Sequence, residues 1–548
     1  MLMTEAAQYR RFQAPQDDGQ TLVEPSAPRL AELVARNRRH LAGISYDVQG
    51  RPLADLAVAA RRSLVAAAIG YTSQYRDLPP EFSARAEIHL DPPLLFTGHQ
   101  PQLFHPGVWF KNFLLGRLAK EVCGLGVHLL IDSDICRSTS IRVPTGTIER
   151  PLVDVVPLDR SADAVPFEER AVADEATFAS FARRAAELIE PLVDRPVALE
   201  LWPLIQRRSH AEPNLGLRLA QGRHALEAQW GNATLELPQS AVCRLPEFHW
   251  FVAHVLAHLP RFWAAHNDAL AAYRQEHRLR NRAQPVPDLA ESEGWLEAPF
   301  WIWSGDEPQR RAMFARQQGD ELIITDRSRQ TVVLALSADQ EATAAAEQLA
   351  ELAVRGVKIR TRALATTLFA RLLLGDLFIH GIGGAKYDQV SDQIAEQFFG
   401  FSLPEFATAS ATLRLPIDHP DVPAGEWRAV QRQLRDLDHH PERFLPVDGV
   451  PPGDQTAGVA SIIAEKRLWI DTPTTSANAR DRHLAIAAAN AALQPHLAAY
   501  RRQLLEQRDE LDSRRRAADI LNSREYSFCL FPREHLQRCL LDDMASTP

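Results

Sequence analysis

The chain has 548 residues, 45% of them apolar and 24% charged, a balance that fits about two to four ordinary globular domains. A formal net charge of -9 and a pI near 6.1 exclude a protein that coats nucleic acid or anionic membrane through bulk electrostatics. No apolar run approaches the ~18 residues a bilayer requires, and Met1–Gln20 lacks the apolar centre of a signal peptide.

Cys123, Cys136, Cys243, Cys529 and Cys539 are scattered and include no Cys-x-x-Cys pair. Reduced thiols, a cytoplasmic location and no structural zinc are therefore expected, with neither membrane nor nucleic acid as a partner.

In chain order, Ser26–Leu41 carries Leu30, Leu33, Val34 and Leu41 on one helical stripe, and Leu53–Tyr75 reads as a second helix. Pro92-Pro93 then introduces Leu94-Leu95-Phe96, a short apolar run that stops at Thr97-Gly98 and predicts a buried strand with a polar turn. Pro106 opens an amphipathic helix over Gly107–Val122. After Gly124 and Gly126 a second buried strand, Val127–Ile131, ends in Asp132-Ser133-Asp134. Strand, turn, helix and strand make a βαβ unit, which predicts an α/β fold with a parallel sheet.

Helices are predicted over Thr177–Leu192, Phe248–Leu259 and Phe262–His277, followed by a proline-bearing linker at Arg280–Leu289. Phe300–Trp303 reads as a strand whose Trp301 and Trp303 are expected to pack in the core, as is Trp295; Glu321–Asp326 and Thr331–Leu336 read as a hairpin. Glu341–Val354 and Arg362–Leu374 are helical. Leu377–Ile379 is a strand, Gly381–Gly384 a turn and Ala385–Phe399 a helix, repeating the order of the first unit. Asn478–Asn522 is almost continuously helical with a break near Pro495. Its stripe of Leu504, Leu511 and Ile520 predicts an antiparallel pair or short coiled coil and, through it, a homodimer.

Function concentrates in two segments, Thr97–Lys111 and His380–Asp388. Each places a polar turn where a strand gives way to a helix, and in an open parallel sheet ligands collect at that edge against helix N-termini. In the first, Thr97, Gly98 and Gln100 supply a close backbone approach and hydrogen-bonding groups, His99 and His105 supply acid–base groups, and Lys111 offsets an anion. In the second, His380, Gly381, Gly383 and Gly384 form a glycine turn ahead of Lys386 and Tyr387. It matches neither the dinucleotide fingerprint nor the phosphate-loop consensus, so a plain tight turn stands as the alternative. Asp132 and Asp134 could hold an amine or cap a helix, and Arg362 could bind an anion or face solvent. No metal-ligand spacing is present.

These segments resemble the bacillithiol synthase family, the cysteine-adding enzymes of bacillithiol biosynthesis. The resemblance is carried by Thr97–Lys111, Leu129–Asp134, Thr361-Arg362-Ala363-Leu364, His380–Tyr387, Phe399–Pro404 and Thr412-Leu413-Arg414. Gly98-His99-Gln100 stands where that family has a glutamine pair. The resemblance implies a Rossmann-like core of the nucleotidyltransferase/class I synthetase kind, a helical insertion and a dimerising C-terminal coiled coil. The corresponding division of the chain is 1–165, 166–340, 341–470 and 471–548.

The function so expected is a ligase-like one, joining cysteine or a related amine- or thiol-bearing metabolite to an acidic or sugar-linked acceptor. His99 or His105 would move a proton, Asp132 or Asp134 would hold the amine, and ATP or ADP would share the crevice. A catalytically inactive metabolite- or nucleotide-binding protein on the same fold is the alternative.

Overall fold

The computed structural model describes residues 10–80, 82, 84, 91–160, 163–208, 211–281, 283–419, 423–445 and 454–542. The first nine residues of the polar N-terminal stretch, residue 282 of the linker and residues 543–548 of the C-terminal region lie outside the described residues.

The fold is mixed α/β. The strands are β1 (Thr21–Glu24), β2 (Leu94–His99), β3 (Leu125–Leu130), β4 (Ser140–Gly146), β5 (Pro151–Pro157), β6 (Leu235–Pro238) and β7 (Glu291–Ser292). After these come β8 (Trp295–Ser304), β9 (Glu307–Gln318), β10 (Glu321–Thr325), β11 (Thr331–Ala335), β12 (Val357–Thr361), β13 (Leu377–His380) and β14 (Ala407–Ala411).

The main sheet runs β1-β14-β13-β2-β3-β6, parallel throughout except for β1, which adds antiparallel to β14. All six residues of β3 are buried, as are five of the six of β2, which is why both read as unbroken apolar runs rather than alternating ones. From β2 the chain moves through the Pro106–Glu121 helix to β3, on one side. It returns much later to β13, on the other side of β2, and then goes through the Ile382–Phe398 helix to β14. The strand order therefore reverses between β2 and β13, and Thr97 Oγ1 ties the two strands by donating to the Ile379 carbonyl at 2.8 Å. A reversal of this kind opens a crevice at the carboxyl ends of the two strands.

A second sheet, β11-β10-β9-β8-β12 with β7 on β8, is antiparallel. It shares one hydrophobic core with the main sheet, running from Leu56 and Leu64 through Phe248 and Phe251 to Phe300, Ile324 and Leu373.

The chain divides into two compact units, one of residues 1–143, 154–416 and 524–548, the other of 144–153 and 417–523. These bounds differ from the four segments expected from the sequence, most plainly in returning 524–548 to the unit that contains the main sheet. In the second unit the Asn478–Asn522 stretch forms two helices, Ala479–Leu493 and Ala498–Leu521, separated by a short 3-10 turn at Pro495. Rather than packing chiefly on each other, they pair with two helices the sequence reading did not identify, Asp454–Asp471 and Ala424–His439 respectively. Leu504 is buried against Leu437 and Leu497, so a portion of the stripe that suggested a dimer is covered within the chain.

The expected Gly381–Gly384 turn is shorter than predicted. The helix begins at Ile382, and the Ala385 N–H already bonds the Gly381 carbonyl at 2.9 Å. Gly383 and Gly384 thus lie in the first helical turn, where N–H groups have no partner inside the helix.

Candidate active site

The two polar segments line one cavity of about 430 Å³. Gly98, His99, Gln100, His105, Gly107 and Lys111 come from the β2 side, and His380, Gly381, Gly383 and Gly384 from the β13 side. Thr366, Thr367, Ser410 and Arg524 complete its wall. Two helix N-termini reach this cavity, those of Pro106–Glu121 and Ile382–Phe398. Pro106 sits at the first turn of the former, with its fixed φ suited to that place. Gly107 lets that turn lie against the carbonyl of Ala411 at the end of β14, where any Cβ would overlap the oxygen. No aspartate or glutamate lines the cavity among the described residues. Helix termini and cations without carboxylates make an environment for an anion.

Lys111 is buried with only 3% exposure and has no carboxylate partner among the described residues; its Nζ donates to the Gly98 carbonyl at 3.0 Å. Burial, reinforced by the nearby Arg223 guanidinium, brings its pKa down to about 7. Its charge in turn acts on His99, His105, His128 and His380, all of which burial first holds below the usual histidine range. His99 packs edge-on against Phe104 and lies 4.8 Å from the ring of His128. The Nε2 atoms of His99 and His128 and the Nδ1 of His105 are buried without a partner. No group of three metal-ligating side chains is assembled among the described residues.

Beneath the cavity lies a buried polar network. Arg223 pairs with Glu227 and Glu236. Glu236 also meets His128 Nδ1 at 2.9 Å and accepts from the Tyr75 hydroxyl at 3.1 Å. Trp109 and Asn112, from the Lys111-bearing helix, donate to Glu227. The helix that presents Lys111 is thereby fixed to the network whose arginine lowers the lysine's pKa.

On the other wall His380 Nε2 lies 2.8 Å from Asp388 Oδ2. Asp388 also accepts from Arg371 at 2.7 Å and from the Thr367 hydroxyl at 2.6 Å. Burial alone would raise the Asp388 pKa, but Arg371 and His380 hold it below the normal carboxylate range. An ionised Asp388 fixes the proton of His380 on Nε2 and leaves Nδ1 as the basic nitrogen. That nitrogen faces Gly384, where a Cβ would stand 2.8 Å from it.

The remaining sequence candidates lie elsewhere. Asp132 is buried and accepts from the Ser240 N–H and hydroxyl, at 2.9 and 2.5 Å, at the start of the Gln239–Val242 turn of helix. Burial, with Glu168 nearby, raises its pKa to about 7. It lines neither this cavity nor its neighbour. Lys386 and Tyr387 are exposed, because Ala385 and Asp388 occupy the inward face of their helix.

Asp134 and Arg362 line an adjoining cavity of about 340 Å³ that shares Gln100, Ile131, Ala363 and Thr366 with the first. There Asp134 accepts from Gln100 at 2.9 Å and from Arg310 at 3.1 Å, and Arg362 pairs with Glu297 at 2.5 Å. Trp301, expected in the core, lies on this cavity's wall with the Arg310 and Arg362 guanidiniums 4.5 and 4.1 Å from its ring. Trp303, two residues on, is buried as expected.

Asp388, which closes the second segment, was given no role from the sequence, and Arg371, Arg223, His128 and Arg524 were not identified as belonging to the site. A histidine closing a strand eight residues before an aspartate on the next helix was the visible signal for the first of them. No family model matches the sequence, and no curated protein is similar to it.

Proposed function

We propose that the chain is a ligase-like enzyme that joins cysteine, or a related amine- or thiol-bearing metabolite, to an acidic or sugar-linked acceptor. The reading rests on one observation above the rest: a cavity at the strand-order reversal whose wall carries a buried lysine and a histidine, the histidine held from behind by the buried Asp388. The sheet order β14-β13-β2-β3-β6 supports a Rossmann-like core for it. The motifs resembling bacillithiol synthase supply the substrate class.

In this reading the acceptor's anionic group, or the phosphate of ATP or ADP, sits against the free N–H groups of Ile382, Gly383 and Gly384, with Lys111 as counter-charge. His380 Nδ1 takes the proton of the attacking thiol or amine, and Asp388 stabilises the imidazolium that results. The proton held on the His380 imidazolium then passes to the departing oxygen, directly or by way of His105, so that the oxygen leaves protonated and both histidines end neutral.

The test incubates the full chain with L-cysteine and carboxylate- or sugar-phosphate-bearing acceptors, with and without ATP, and follows products by mass spectrometry. A cysteine-containing product that disappears in His380→Ala is the expected result. Ligand-induced stabilisation without any product would replace the ligase with the non-catalytic binding protein.

A further inference from the structure

Of the 61 basic residues in this chain five are lysine, at positions 111, 120, 358, 386 and 466, and all the others are arginine. Lys120 and Lys386 are exposed, Lys358 pairs with Glu168 and Glu169, and Lys466 pairs with Glu442. Lys111 alone is buried on a cavity wall with no carboxylate beside it. An arginine there would remain charged at every accessible pH, whereas a lysine amine can lose its proton and act as a nucleophile. Its single acceptor, the Gly98 carbonyl, engages one N–H and leaves the rest of the amine toward the cavity.

We propose that Lys111 forms an imine with the carbonyl carbon of a small anionic aldehyde or ketone, such as a 2-oxo acid or a phosphorylated sugar. The cavity has the groups this chemistry needs. The anionic group of the carbonyl compound meets the N–H groups of Ile382, Gly383 and Gly384. The Lys111 nitrogen bonds to the carbonyl carbon, and the amine proton it sheds passes to the oxygen, giving a carbinolamine. The proton that the Lys111 ammonium gives up to His380 or His105 before the attack then passes to that oxygen, which departs as water and leaves a cationic C=N bond. The iminium is stabilised by the substrate's own anion, which offsets the nearby Arg223 guanidinium. Burial brings the Lys111 pKa to about 7, so a large fraction of the amine is free at neutral pH.

This activity goes beyond the ligation reading and does not rest on it, because imine formation needs neither cysteine nor a nucleotide. The experiment incubates the full-length protein separately with glyoxylate, pyruvate and dihydroxyacetone phosphate, adds sodium borohydride, and maps the reduced adduct by peptide mass spectrometry. The five lysines make the assignment direct. The expected result is an adduct on Lys111 with at least one probe, diminished by competing inorganic phosphate and lost in Lys111→Arg. Mapping on the unaltered protein carries the conclusion even if that variant does not fold. No adduct with any of the three, or adducts confined to Lys120 and Lys386, would overturn the proposal while leaving the cysteine-ligation test as it stood.

Discussion

His380 and Asp388 are separated by eight positions in the chain and by 2.8 Å in space, the histidine closing β13 and the aspartate lying on the second turn of the next helix. The glycines between them permit that close return. Arg371 and Thr367 hold the other lone pairs of Asp388, so the carboxylate is fixed from three directions.

Replacing Asp388 by alanine leaves Arg371 buried with only Asp392 and the Pro404 carbonyl. Stability should fall by about 3–5 kcal/mol, the usual consequence of stranding one partner of a buried pair. The pH dependence gives a second signature. Asp388 titrates below its unfolded value near 3.8, so its stabilisation is complete above that value and is lost as pH falls through the folded pKa. Urea titrations should therefore show an acid limb that is flatter in Asp388→Asn than in the unaltered chain.

Lys111 has the opposite effect on stability. Its folded pKa of about 7 lies below the unfolded 10.5, so between those values the unfolded state binds more protons and stability rises with pH. Below about 7 the buried ammonium penalises the fold in full. Lys111→Met should be more stable than the parent by a few kcal/mol at pH 6, with the difference shrinking toward pH 10. Denaturant midpoints for both proteins across that range check it, and a constant difference would refute the buried-amine account.

The sequence disclosed the frame of this site better than its chemistry. Leu94–Phe96 and Leu377–Ile379 were legible as strands because buried parallel strands are uniformly apolar, and Pro106 announced the helix after the first of them. The pairing of β13 with β2 was not legible, because hundreds of residues separate the two strands and register leaves no local mark. Asp388 stood in view at the end of the second segment, but its pairing with His380 did not, because the rotational phase that turns the aspartate toward the strand is set by packing rather than by local sequence. Lys386 and Tyr387 looked like site residues from proximity to the glycines, yet the same phase turns them outward. Trp301 and Trp303 share one side of β8 by periodicity; only the cavity beside the former separates their roles.

Asp132 offers a prediction that separates a capping carboxylate from a catalytic one. Its folded pKa near 7 stands above the unfolded 3.8, so the folded state binds more protons between the two and stability falls as pH rises through that window. Asp132→Asn keeps an acceptor for the Ser240 N–H but carries no charge to desolvate. Relative to the parent it should gain stability between pH 5 and pH 8, and it should leave ligand binding in the crevice unchanged. Weakened binding in calorimetric titration with pyrophosphate would return Asp132 to the site.

Gly383 and Gly384 are neighbours on the same helical turn with different surroundings, and alanine at each should behave differently. A Cβ at 383 meets nothing within 4 Å, and the residue is in helical conformation, so Gly383→Ala should stabilise the protein by about 0.5–1 kcal/mol through the lower backbone entropy of its unfolded chain. At 384 the same methyl would come within 2.8 Å of His380 Nδ1, the nitrogen left basic by Asp388. The imidazole cannot retreat freely, because its other nitrogen is bound to Asp388 and its ring stacks on Phe378 at 4.4 Å and meets Phe406 edge-on at 5.1 Å. Gly384→Ala should therefore forfeit the helix gain, displace the histidine or block its open nitrogen, and abolish whatever turnover the crevice supports. Thermal unfolding of the two variants, with the product assay beside it, provides the comparison. Equal stability and equal turnover in both would show that His380 Nδ1 has no role in the chemistry.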